Sequence, residues 1–203
     1  MNYPFRWSEG RNSMALVVTV VDDTDRVGYA ASMLRTGELY MTDAVDMVAK
    51  ILAFLAKYSP PPSPHSITAY AMSHGRVPLP KTPAPGTTPM DKLNILDHGN
   101  SSGLEIGTDW VSTASFARFQ PEFAKLASKF APGAYVHLQH CEAGMNISLM
   151  EMFADTFAVP VVGGRGLTNP VYRANTGNYV RVYPTSGGSR PRSDTFFWGP
   201  GDQ

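Results

Sequence analysis

Strands and helices alternate along the chain, which predicts an α/β protein with a mainly parallel central sheet between two helical layers, a three-layer αβα fold. Short runs rich in β-branched and other apolar residues are typical of buried strands. Five such runs lie at 14–21, 92–97, 135–140, 159–162 and 179–183. Apolar residues recur at helical spacing within 41–58, 120–130 and 146–157.

The first half of the chain contains the clearest helix, at 41–58. Thr42 is expected to cap it, because a threonine hydroxyl accepts a hydrogen bond from a free amide of the first turn. The proline-rich run that follows, at 59–64, ends the helix. A further strand is predicted at 67–72, ahead of a long irregular loop at 76–89 that contains five prolines.

In the second half, the strand at 92–97 precedes a short hairpin formed by 104–106 and 110–111. A stripe of aromatic and apolar residues then predicts a helix that begins near Gln120, since Pro121 suits a first helical turn. This helix lies between the strands 92–97 and 135–140. It is the expected crossover that would make them parallel neighbours.

Composition indicates one globular domain over 1–203, with a loop-rich amino-terminal half (1–91) and a core that carries the motifs (92–184). Apolar residues make up 43% of the chain, and the formal net charge is zero. A neutral chain has no electrostatic surface for nucleic acid or an anionic membrane. No apolar run approaches the roughly 20 residues that span a bilayer, and no signal-peptide pattern is present. We expect a cytoplasmic protein, or one exported without a classical signal peptide; the oligomeric state is left open.

A candidate nucleophile and a candidate base each follow a predicted strand. Cys141, the single cysteine, comes after the strand at 135–140, and His98 comes after the strand at 92–97. Strand ends of a parallel sheet are where sites form. An imidazole can take the proton of a thiol and so create a nucleophile. The amides of Gly99 and Cys141 could polarise a carbonyl, and the small residues beside them would let it approach the backbone.

Other interpretations of these residues remain open. Cys141 could be a buried apolar thiol, as free cysteines often are, with His98 a turn residue. His74 is a second candidate base, because Ser73-His74-Gly75 also follows an apolar run. A zinc site at His137, His140 and Cys141 is disfavoured, because His137 and His140 face opposite sides of a strand. No cofactor is predicted.

The two motifs resemble those of a known family. Asp97-His98-Gly99 and the block 139–144 (QHCEAG) resemble the paired His-Gly and Cys blocks of the caspase-like cysteine peptidases of clan CD, which include caspases, legumain, gingipains, separase and the bacterial CHAT domains. The stretch 93–166 is also similar to a domain of unknown function in large bacterial surface proteins. That domain has three motifs in order, and the segment 104–107 (LEIG) matches the middle one.

The resemblance implies a caspase-like fold and the hydrolysis of peptide bonds. Cys141 would be the nucleophile, His98 the base and proton shuttle, and the amides of Gly99 and Cys141 the oxyanion hole. Gln139 stands where caspases have glutamine and legumain has glutamate, lining the pocket for the residue before the scissile bond. His140 departs from the family, which has a small residue there.

The resemblance also implies substrate contacts after the next strand. Family pockets draw on this region, so Gly164 and Arg165 are candidate substrate-binding residues, and Arg165 could pair with an acidic side chain. A solvated loop arginine is the alternative. Because caspase-like domains are often switched on by cleavage or a partner, 76–89 is a candidate processing or regulatory segment. A catalytically inactive binding module and a bacterial effector domain with a non-peptide target are the rival functions.

Overall fold

A mixed seven-stranded sheet forms the centre of the part of the chain that the computed structural model describes, residues 15–24, 38–58, 88–185 and 193–196. Its strands are β1 (Val17–Asp22), β2 (Leu39–Met41), β3 (Met90–Leu96), β7 (Phe130–Leu138), β8 (Val161–Gly164), β9 (Tyr179–Val182) and β10 (Ser193–Phe196). They are arranged in the order β10-β9-β8-β7-β3-β1-β2. A smaller three-stranded sheet contains β4 (Gly99–Asn100), β5 (Gly103–Ile106) and β6 (Asp109–Ser112).

Most neighbouring strands of the large sheet are parallel. The pairs β1–β2, β1–β3, β3–β7 and β7–β8 run parallel, and only the pairs that add β9 and β10 at one edge are antiparallel. This arrangement confirms the α/β class and the mainly parallel sheet. It also confirms that β3 and β7 are parallel neighbours.

Three helices are α1 (Ala44–Lys57), α2 (Phe116–Ala124) and α3 (Ile147–Phe157). All three pack on the sheet face that presents alternate apolar residues of each strand, and together they form one core. Aromatic rings join α2 to α3: the ring of Phe153 lies 4.9 Å from Phe116 and 5.3 Å from Phe123, centroid to centroid. Since these helices cover one face, the second helical layer stays a prediction.

The opposite face of the sheet is unusually polar for a parallel sheet. Four buried side chains occupy its centre: Lys92 and Asn94 on β3, His137 on β7, and Gln139 just beyond the end of β7. Parallel strands usually carry continuous apolar runs, because both faces are covered. This face therefore combines buried polar side chains at its centre with a few buried apolar ones, among them Val21, Leu96 and Val162.

Two boundaries differ from the predictions. Asp43, not Thr42, caps α1: its backbone is extended and its carboxylate accepts a hydrogen bond from the amide of Asp46 at 2.8 Å. The helix predicted at 120–130 begins at Phe116 and ends at Ala124, with Pro121 inside it. Proline removes one amide donor there, but the buried aromatic face holds the helix together. The predicted strand at 67–72 lies outside the described residues, as do residues 76–87 of the predicted loop at 76–89.

Candidate functional site

The ends of β3 and β7 bring the His98 and Cys141 backbones together. Ile95 pairs with Leu138, and the amide of Gln139 donates to the carbonyl of Ile95 at 2.8 Å. His98 lies three residues after Ile95, and Cys141 lies three residues after Leu138. A β-carbon built on Gly99 would lie 3.2 Å from the carbonyl oxygen of Cys141, so the two loops touch. The His98 side chain is exposed and Cys141 is partly buried.

A buried carboxylate fixes the backbone that carries His98. The Oδ1 atom of Asp97 accepts a hydrogen bond from the amide of His98 at 2.6 Å, and its Oδ2 atom accepts one from the amide of Gly107 at 2.7 Å. Burial raises the pKa of Asp97 to about 7, against the lowering effect of these two amides. Asp97 thus links the end of β3 to the turn between β5 and β6.

The small sheet orients the amide of Gly99. Gly99 pairs with Leu104 on β5, and the amide of Glu105 donates to the carbonyl of His98 at 2.9 Å. That bond makes Gly99 and Leu104 a non-hydrogen-bonded antiparallel pair, in which the amide of Gly99 is directed away from β5. The amide is therefore not used by the hairpin.

His140 is accommodated in the interior, on the side opposite Gln139. Its ring is fully buried, and Nε2–H donates to the carbonyl of Glu105 at 2.9 Å. Burial, and then the charge of His98, lower the pKa of His140 to about 4, so the ring is neutral. A β-carbon on Gly99 would lie 3.0 Å from the β-carbon of His140. The bulky residue that departs from the family pattern therefore supports the small sheet.

The turn after Cys141 is held on both sides. Glu142 has the left-handed φ of 55°, its amide donates to the carbonyl of Gly166 at 2.8 Å, and its side chain accepts from the amide of Ser101 at 3.1 Å. A β-carbon on Gly144 would lie 2.5 Å from the carbonyl oxygen of Gly163. The small residues of this turn pack it against β8, and their role in admitting a substrate carbonyl stays a prediction.

The thiol itself contacts a loop that follows β8. The amide of Thr168 donates to Sγ of Cys141 at 3.3 Å, and the Thr168 hydroxyl donates to the carbonyl of His140 at 3.0 Å. Asn175 braces this loop: its side chain donates to Thr168 Oγ1 at 2.9 Å and accepts from the amide of Gly166 at 2.8 Å. These bonds hold the turn that carries Cys141 against the loop that follows β8.

The predicted substrate-binding residues differ in their surroundings. Gln139 is buried on the polar face, where its Nε2 atom lies 3.4 Å from Nδ1 of His137. Gly164 is also buried, and a β-carbon there would clash with the side chain of Asn175 at 2.1 Å, which gives Gly164 a packing role. Arg165 is exposed. Substrate contact by these three residues stays a prediction.

Sequence reasoning missed three residues that position the site. Asp97 belongs to the His-Gly motif without a predicted role of its own, and Thr168 and Asn175 belong to no predicted motif. Asn175-Thr176-Gly177 carries a turn signal that marks the loop, but no local pattern indicates that the loop folds back on Cys141. His74, the rival base, lies outside the described residues.

Within the described residues, no group of three or more His, Cys, Asp or Glu side chains is arranged to hold a metal ion. None of the helices in that part of the chain is both long and apolar enough to cross a membrane. Comparison with known proteins found no matching family model, no matching curated protein and no matching solved structure.

Proposed function

We propose that this protein hydrolyses peptide bonds with Cys141 as nucleophile and His98 as its base. One observation carries the proposal: a β-carbon at Gly99, next to the candidate base, would lie 3.2 Å from the carbonyl oxygen of the candidate nucleophile. The pairing of β3 with β7 brings a thiol and an imidazole from distant parts of the chain to the same edge of the sheet. A nucleophile and base in adjoining strand-end loops are what acyl transfer requires.

The proposed reaction begins with the transfer of the Cys141 proton to His98. The sulfur then forms a bond to the carbonyl carbon of the scissile peptide, and the electron pair of the C=O bond moves to oxygen. The amides of Gly99 and Cys141 donate to this oxyanion. His98 returns the proton to the departing amine as the C–N bond breaks, which leaves an acyl group on Cys141. Water then hydrolyses the thioester and frees the enzyme.

Hydrogen bonds around the two residues support these roles. The Thr168 amide donates to the sulfur of Cys141 and so fixes its position beside the strand ends. The amide of Gly99 is directed away from β5 and makes no hydrogen bond within the hairpin, so it is available as an oxyanion donor. The exposed His98 side chain has access to water, which the second half of the reaction needs.

Active-site labelling tests the proposal. The full chain is incubated with a panel of peptidyl acyloxymethyl ketones, and the adduct is quantified by intact mass for wild type and for Cys141→Ala, His98→Ala and His74→Ala. We expect no adduct without Cys141, a rate at least 100-fold lower without His98, in line with the contribution of a general base, and an unchanged rate in His74→Ala.

Two outcomes would contradict the proposal. A labelling rate that neither histidine changes makes Cys141 an ordinary thiol, which leaves the inactive binding module as the better interpretation. Dependence on His74 rather than His98 would assign the base to the other motif. If a Cys141-dependent activity appears in cell lysate without any peptide product, the effector-domain alternative replaces peptide hydrolysis.

A further inference from the structure

The loop that joins β8 to β9, residues 165–178, lies against the thiol of Cys141. The amide nitrogen of Thr168 lies 3.3 Å from Sγ, and the carbonyl oxygen of the same residue lies 3.9 Å from it. The Thr168 hydroxyl donates to the carbonyl of His140 at 3.0 Å, one residue before the thiol. This β8–β9 loop is therefore closed onto the sulfur through one of its own residues, and Cys141 is only partly exposed.

The two arms of the β8–β9 loop are tied to each other. Thr168 and Asn175 face each other in an antiparallel bridge, and the Asn175 side chain donates to Thr168 Oγ1 at 2.9 Å. At the neck of the loop, a β-carbon on Gly166 would lie 2.5 Å from the amide nitrogen of Gly177, so the arms approach too closely there for a side chain. The loop is therefore one unit, and the position of its far end affects the end that holds the sulfur.

The β8–β9 loop adds almost nothing to the apolar core. Arg173 is its only buried residue, and none of its residues belongs to the core cluster. Two of its large apolar side chains, Leu167 and Tyr172, are 62% and 76% exposed. Segments with few buried apolar contacts open at a lower free energy than the core does. The loop can therefore open while the sheet and its helices stay folded.

Arg173 anchors the far end of the loop. Its guanidinium forms an ion pair with Glu38, and both side chains are 5% exposed. Glu38 directly precedes β2, and three strands separate β2 from β8 in the sheet, a distance of roughly 19 Å. The loop starts at the end of β8, at the edge of the sheet where Cys141 lies. To reach Glu38, the loop and the Arg173 side chain must extend across the neighbouring strands.

The surroundings make the ion pair sensitive to the loss of either partner. Burial, and then the charge of Arg173, lower the pKa of Lys92 to about 8, so a second buried cation lies near the guanidinium. A buried ion pair barely repays the cost of removing its charges from water, but a buried charge without its partner is strongly unfavourable. With Glu38 neutralised, Arg173 would keep its charge beside Lys92, and leaving for water becomes its favourable course.

From these contacts we infer that the β8–β9 loop is a cover over Cys141, kept closed by the buried ion pair between Arg173 and Glu38. Opening of the cover removes Thr168 from the sulfur and admits larger molecules to it. As control over access to the thiol, the inference stands apart from the reaction; as regulation of catalysis, it rests on the proposed peptidase function.

The test uses the reactivity of the thiol toward a small and a bulky reagent. Cys141 is the single cysteine, so labelling of the full chain, read by intact mass, reports on this site alone. Rate constants for iodoacetamide and fluorescein-5-maleimide at pH 7 are each divided by the rate constant for glutathione. In Arg173→Met we expect the relative maleimide rate to rise roughly tenfold or more, because the ion pair no longer opposes opening. The iodoacetamide rate should rise less, since a small reagent needs less opening.

Three variants separate the ion pair from a general loosening of the protein. Glu38→Gln keeps the size of the side chain and removes its charge, so it should also raise the maleimide rate. The charge exchange of Arg173→Glu with Glu38→Arg should return the rate toward that of wild type. Arg181→Met removes an arginine on β9, whose guanidinium lies 4.6 Å from the ring centre of Phe196, and should leave the rate unchanged.

Low concentrations of urea distinguish opening of the loop from unfolding of the whole protein. Labelling of Arg173→Met is repeated below its unfolding transition, which is followed by tryptophan fluorescence. Opening of a small loop exposes little surface, so the maleimide rate should hardly depend on urea in this range. A rate that rises in parallel with global unfolding overturns the inference.

The remaining outcomes keep the two proposals distinct. Equal maleimide rates in wild type and Arg173→Met, or an equal rise in Arg181→Met, overturn the cover. If peptidyl acyloxymethyl ketones still label Cys141 in a His98-dependent way in that case, the peptidase proposal stands alone. If Arg173→Met raises the maleimide rate but no ketone labels in a His98-dependent way, the cover is supported and the peptidase proposal fails.

Discussion

Asp97 should make the stability of the protein depend on pH in an unusual direction. Burial raises the pKa of this carboxyl from 3.8 to about 7, so between these pH values the native state holds a proton that the unfolded state has lost. Stability then falls as pH rises through this window, by about 1.4 kcal/mol per pH unit. The full effect is on the order of 4 kcal/mol, present below pH 4 and lost above pH 7.

Asp97→Asn isolates this contribution because asparagine does not titrate. The variant keeps an acceptor for the amide of His98 but loses the one for Gly107, which costs about 1–3 kcal/mol at every pH. Relative to wild type, it should be destabilised at pH 5 and stabilised at pH 8. The difference between the two proteins should change by about 2–3 kcal/mol across this range, the part of the titration that falls between pH 5 and 7.

The assay is urea unfolding of both proteins at pH 5, 6, 7 and 8, followed by tryptophan fluorescence. Asp23→Asn, at an exposed carboxylate, measures the general effect of one lost negative charge. A wild-type-to-variant difference that stays constant with pH would refute the reasoning. So would a difference of the opposite sign, which would mean that the two amides stabilise the carboxylate more than burial destabilises it.

Three further changes should act through packing, charge or backbone approach. Phe123→Ala, in the centre of the aromatic cluster, should lower the free energy of unfolding by about 3–5 kcal/mol in urea; a loss below 1 kcal/mol would contradict the assigned packing. Arg173→Met removes one partner of the buried ion pair with Glu38 and should cost about 3–5 kcal/mol, part of which the double variant with Glu38→Gln recovers. If the double variant is no better than the single one, the pair is not coupled. Gly144→Ala puts a methyl group against β8 and should slow the labelling of Cys141 several-fold, whereas an unchanged rate would show that the turn tolerates displacement.

The sequence predicted much of the sheet because each strand carries a local signal. The runs at 92–97, 159–162 and 179–183 correspond to β3, β8 and β9 within a few residues. The hairpin predicted from 104–106 and 110–111 is present as β5 and β6. Boundaries were less predictable where two local signals competed, as at Pro121, which lies inside α2 because the aromatic face of that helix outweighs one lost hydrogen bond.

The candidate site was predictable only in its outline. His98 and Cys141 could be named because each follows an apolar run, and the crossover rule made their strands neighbours. The supporting contacts could not be named, because they join residues far apart in the chain: the Thr168 amide to the Cys141 sulfur, and Ser101 to Glu142. Such contacts depend on where loops return after folding, and local residue patterns carry no record of that.

By itself, the sequence determined the α/β class, the mainly parallel sheet and the two strand ends that carry a thiol and an imidazole. These follow from hydrophobic periodicity and chain order, which act over short distances. Only the tertiary structure decided that the buried ring of His140 supports the small sheet, that Asp97 is a buried carboxyl with a raised pKa, and that Arg173 is buried in an ion pair with Glu38. Burial and strand register set these properties, and both arise only when distant segments pack together.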